Sequence, residues 1–145
     1  MKLRTLILVV ILGLTPLSAL AASEAQLKQF ADSYRKVLEA KDEKALHAFL
    51  YTKDADPEAV DFYKEMMTMG LDKPIKSIEV RELTTEDRKD IAELTDMQSK
   101  PIKYNVEPVA KLEIDRSAGT SKRTDRVFLA EHGGKIVIPV PGKAK

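Results

Sequence analysis

Between Tyr104 and Ile114 the even positions read Tyr104, Val106, Pro108, Ala110, Leu112 and Ile114, and the odd positions Asn105, Glu107, Val109, Lys111 and Glu113. Alternate side chains of a strand point to opposite faces, so register decides which set meets the core. Each apolar side chain contributes about 1.5–3 kcal/mol when fully buried. An unpaired buried charge costs at least several kcal/mol. The even parity is therefore predicted inward, with Lys103, Glu107, Lys111 and Glu113 outside. Pro108 has no N–H to give to a ladder, so the strand either lies at an edge there or carries a bulge.

A sheet with one greasy face needs a layer to cover it, and the preceding residues supply helices. Leu27, Phe30, Ala31, Tyr34 and Leu38 recur at three- and four-residue steps, predicting a helix over 23–40. Ser23 and Gln26 are placed to form a capping box. Asp42 caps a short second helix carrying Leu46, Phe49 and Leu50. Asp56-Pro57-Glu58 is a strong start for a third, expected to run to Gly70 and to be the most buried. Beyond Pro74 the period changes to two, and Ile75 to Leu83 is predicted as a strand. Thr84 to Asp96 is open: Thr84 and Asp87 can cap a short helix, or the segment is a mobile excursion. Strands are expected over 103–116, 122–131 and 136–140. Gly133-Gly134 forms a two-residue hairpin turn that pairs Ala130 with Val137 and Leu129 with Ile138. The hairpin is apolar on both faces, with Phe128, Ala130, Val137 and Pro139 on the second. A strongly curled sheet or a second copy of the chain should cover it, and a homodimer through the sheet is the expectation.

The first 21 residues read as a targeting device. Lys2 and Arg4 precede the apolar run Leu6 to Leu14, and Ala19-Leu20-Ala21 is a small-x-small cleavage site. The run is short for a membrane span, which needs about 20 residues, and the layout is that of a cleaved secretory signal. The expected organisation is a signal over 1–21, one α+β domain over 22–140 and a disordered tail over 141–145. The product is exported, periplasmic or secreted, without a stable membrane span after cleavage. No cysteine stands near the cleavage site, which argues against lipid attachment.

With no cysteine in the whole chain, thiol catalysis, thiolate metal sites and disulfides are excluded. Two histidines make a transition-metal site improbable, and no cofactor is expected. The 24 Lys and Arg lose Lys2 and Arg4 with the signal, leaving 22 against 23 Asp and Glu. So balanced a chain lacks the field expected of a nucleic-acid binder.

Helices first, then a curved antiparallel sheet closing in a glycine hairpin: the segments "QFADSYRKVLEAKDEKALHAFL" (Gln29 to Leu50) and "RVFLAEHGGKIVIPV" (Arg126 to Val140) resemble the nuclear transport factor 2-like superfamily of cystatin-like α+β cones. Ile136 departs from that pattern, standing where tryptophan is common. The resemblance implies a sheet wrapped around the helices with a pocket at the open end, used in the family for small apolar ligands, for isomerase, dehydratase or cyclase chemistry, or only for partner binding. Catalysis there would need a carboxylate with a tyrosine or histidine inside the cone. The inward parity offers only Tyr104, joined by Tyr34 and Tyr63 from the helices. These three, with Met66, are the candidate ligand-binding residues; amphipathic core tyrosines and gap-filling methionines (Met66, Met67, Met69) are the plainer alternative. No catalytic residue is assigned. Asp32, Asp54 and Asp61 are the carboxylates an enzyme would draw on. His47 and His132 read as structural. Lys122, Arg123 and Arg126 read as a solvated strand, since Asp125 interrupts them. The expected function is non-catalytic binding of a small apolar ligand or a protein partner. The alternatives are a small isomerase or dehydratase and a structural envelope accessory protein.

Overall fold

The computed structural model describes residues 22–143; the expected signal segment lies outside them. Four helices and seven strands follow one another as α1 (Glu24–Ala40), α2 (Glu43–His47), β1 (Leu50–Tyr51), α3 (Pro57–Thr68), β2 (Ile75–Glu82), α4 (Thr85–Ala92), β3 (Ile102–Tyr104), β4 (Pro108–Ala118), β5 (Ser121–His132), β6 (Lys135–Pro139) and β7 (Pro141–Lys143). The fold is α+β, with α1 to α3 ahead of a curved five-stranded sheet in the order β1-β6-β5-β4-β2 that does not close into a barrel. The sheet is mixed, where a wholly antiparallel one was expected, because the two-residue β1 pairs parallel to β6 (Leu50 with Ile138). So short a strand has no periodicity to read.

Local chemistry sets the helix starts. Ser23 Oγ accepts from the Gln26 N–H while Gln26 Oε1 accepts from the Ser23 N–H, a complete capping box. Asp42 accepts from the Ala45 N–H and Asp56 from the Glu58 N–H. Thr84 and Asp87 form a second capping box, so the ambiguous segment contains a helix, α4.

The inward parity of β4 is as expected from Ala110 onward. Ala110, Leu112 and Ile114 are buried against Phe30, Tyr34 and Leu38 of α1, together with Val127, Leu129, Ile138 and Val140. Phe30 stacks on Tyr34, and Phe49 presents its edge to both. Glu107 is exposed and Glu113 half-buried. The Pro108 irregularity is a bulge: Pro108 stands opposite Ala130 and Ala110 opposite Leu129, leaving Val109 extra and exposed. At the hairpin, Gly133 and Gly134 both have positive φ, 58° and 76°, and Ala130 pairs with Val137.

Five expectations fail in detail. The third helix is not the most buried element: only Met67 of α3 is fully enclosed, and Phe62 is 59% exposed. α1 takes the central position over the sheet instead. The strand expected over 103–116 is broken, because residues 105–107 turn the chain between β3 and β4. Tyr104 thereby leaves the inward parity: β3 pairs with β7, and the Tyr104 ring meets Phe128 edge-on at 5.8 Å, on the sheet's second face. Lys111 is not outside, since α4 lays Asp87 over it. Finally, 141–143 form β7 rather than a frayed end, with Pro141 and Gly142 buried.

β3 and β7 bear on the covering of the second apolar face. Ala130 and Pro139 are buried within a single chain, and Phe128 lies under Tyr104. The corner is tied by Asn105, whose Nδ2 donates to the carbonyls of Tyr51 (2.7 Å) and Lys53 (2.8 Å) and whose Oδ1 accepts from the Val140 N–H (3.0 Å). No helix among the described residues is long and apolar enough to cross a membrane.

Candidate functional site

The even parity of β4 extends one step past Ile114 to Arg116. A guanidinium is thereby carried into the interior, where Arg116 is only 3% exposed. Across the β4–β5 ladder Ile114 pairs with Asp125 and Arg116 with Arg123, so the neighbouring strand delivers an acid and a second arginine to the same face. Arg116 Nε donates to Asp125 Oδ2 at 3.2 Å, and a guanidinium nitrogen donates to the Lys73 carbonyl at 3.1 Å. Arg123 Nε donates to the other oxygen, Oδ1, of the same carboxylate. One acid thus serves two bases. A buried charge needs such partners to be tolerated at all.

These residues border a cavity of about 140 Å³ between α1, α3, β4 and β5. Met66 and Met67 from α3, Ile114 and Val127 supply its apolar wall, and Tyr34 reaches it from α1. Tyr34 is 1% exposed as a whole; its hydroxyl bonds no described residue, and since no fully enclosed side-chain polar atom among the described residues lacks a partner, that oxygen remains accessible at the cavity. Burial pushes its ionisation well above the ordinary phenol range, only partly opposed by Arg116. It is a protonated donor, not a base. A second, more open recess of about 320 Å³ lies on the other side of Arg116, between Leu38, Glu39, Leu71, Lys73 and Ile75.

Of the four residues singled out from the sequence, the fold brings two together. Tyr34 and Met66 line the cavity; Tyr63 and Tyr104 do not. Tyr63 instead donates its hydroxyl hydrogen bond to Tyr104 at 3.1 Å, and burial raises the ionisation of both phenols. That pair fastens α3 to β3. Met67 closes the core and Met69 points to solvent. Asp32, Asp54 and Asp61 are all exposed, and none lines the cavity. His47 rests with Nε2 3.3 Å from the Lys64 carbonyl, and the His132 ring lies 4.4 Å from that of Tyr51. Arg126 turns its guanidinium to the outer face, 3.7 Å from Asp87.

The missed residues are Arg116, Arg123 and Asp125. One signal pointed to the first: counting the β4 parity two residues beyond Ile114 lands on Arg116. The other two require the β4–β5 register, which the polar turn after Ala118 sets. No family model, curated protein or solved structure matches the chain.

Proposed function

We propose that this chain is an exported binding domain that holds a small molecule in the cavity at Tyr34 and Met66 without transforming it. The observation that carries the proposal is the Tyr34 hydroxyl, bonded to no described residue and accessible at the edge of an apolar-walled space beside Arg116 and Asp125. A molecule that enters the space and accepts from that hydroxyl gains a hydrogen bond while burying its apolar body. A cavity of about 150 Å³ accommodates benzene, so the space suits one ring or a short branched chain.

Binding is favoured over catalysis by the state of the one acid present. Asp125 accepts from Arg116 on one oxygen and from Arg123 on the other, so both of its oxygens are already engaged. Tyr34 keeps its own proton. The cone-shaped family resembled by the sequence is in keeping with a pocket of this kind, and so is the expected export signal.

The experiment is equilibrium binding to the purified chain from Ala22 onward, using toluene, benzyl alcohol, benzamide and benzoate, followed by NMR of the methionine methyls. Saturable shifts at Met66, with each compound recovered unchanged, are expected. Absence of any saturable shift across the panel, or turnover of a bound compound, would remove the reading.

A further inference from the structure

Resting on that reading, the geometry points to a ligand class: a small monocarboxylate with a flat apolar body, its carboxylate taken by the free side of the Arg123 guanidinium and the Tyr34 hydroxyl. The charge count at the cavity leads there. Arg116 and Arg123 face a single carboxylate, Asp125; the third arginine on these strands, Arg126, also borders the cavity, but its guanidinium is directed to Asp87 (3.7 Å) and Glu113 (4.0 Å). One positive charge is therefore left without a counter-charge inside a partly enclosed space, where its field is screened less than at an open surface.

The donors are distributed to suit an anion. Arg116 uses Nε on Asp125 and a terminal nitrogen on the Lys73 carbonyl. Arg123 uses only Nε among the described residues, so both of its terminal nitrogens remain to donate. A planar guanidinium with two free donors matches a carboxylate. The Tyr34 hydroxyl adds a third, neutral donor, and burial holds it in the donating form. The apolar part of the lining, Met66, Met67, Ile114 and Val127, calls for an apolar body. A fully polar oxyanion such as sulfate would leave that wall against nothing it can pair with.

The test titrates the chain from Ala22 onward with benzoate and its neutral isostere benzamide, with inorganic sulfate as a competitor. Benzoate should bind at least tenfold more tightly than benzamide, as a charge-assisted bond requires. Arg123→Gln should collapse that preference, weakening benzoate at least tenfold and benzamide by a clearly smaller factor. Should Arg123→Gln fail to fold, Arg123→Lys keeps the charge without the fork and should give an intermediate loss. Equal binding of benzoate and benzamide, indifference to Arg123, or displacement by equimolar sulfate would overturn the carboxylate class while leaving the cavity a binding site. No binding by any of these compounds would overturn both.

Discussion

Lys111 Nζ lies 2.7 Å from Asp87 Oδ2, and the two side chains are 8% and 3% exposed. The pair locks α4 onto the outer face of the sheet, 24 residues ahead of the strand it joins. Asp87 also accepts from the Thr84 backbone N–H and hydroxyl. One carboxylate thus finishes a helix start and anchors the helix to β4. Around it Arg126, Glu113 and Arg81 extend the ion pairs across the face.

Removing one partner strands the other, which is the costly case for a buried pair. Lys111→Met should lower the unfolding free energy by about 3 kcal/mol or more, read from urea titration followed by circular dichroism. The double variant Lys111→Met with Asp87→Asn should recover part of the loss, because no buried charge is left alone. An additive double variant would show that the pair itself contributes nothing.

Acid should weaken the same contact. The Asp87 carboxyl is pulled from 3.8 down to about 2, first by the Lys111 hydrogen bond and then by the Thr84 N–H, against an opposing push from burial. A group whose ionisation is lowered by folding adds stability that is complete above its unfolded value and fades as pH falls through its folded one. This share is therefore present above about pH 4 and lost toward about pH 2. Stability measured across that window should fall less steeply in Asp87→Asn than in the parent chain.

Tyr34→Phe separates a binding hydroxyl from a structural one. Because the hydroxyl has no partner, its loss should change stability by less than about 0.5 kcal/mol, or raise it slightly. The same variant should weaken benzoate. A stability loss above about 1 kcal/mol would show that the hydroxyl already serves the fold.

Gly142 is held for space. A Cβ there would run into the Asp54 carbonyl oxygen, and that atom is backbone, so it cannot swing aside. Gly142→Ala should cost about 1–3 kcal/mol and loosen β7 from β3, seen as faster amide exchange at Asn105, whose N–H donates to the Val140 carbonyl at 3.1 Å. Unchanged exchange there would mean that the two segments are not closely packed.

What could be read from the sequence was what short stretches decide among themselves. The caps at Ser23, Asp42, Asp56 and Thr84 involve partners two or three residues away, and each is found in place. The inward set Ala110, Leu112 and Ile114 followed from burial energetics over a single strand. The failures are all non-local. Lys111 was assigned to solvent because nothing in β4 tells where α4 lands. Tyr104 was assigned inward because parity was carried across the turn at 105–107, where the strand is broken. Of the candidate site, Tyr34 and Met66 could be found from helical spacing. Asp125 was dismissed as an interruption among basic residues, and its role follows only from standing opposite Ile114 in the next strand.

Asn105 joins stretches that lie 54, 52 and 35 residues from it. No short fragment of the chain contains even two of its three partners with it. Large loops must close before those bonds return anything, which places this corner late in the order of assembly and slows the final step. The same logic makes it the first joint to open under denaturant, so the two-stranded flap should come loose while the helices still hold the main sheet.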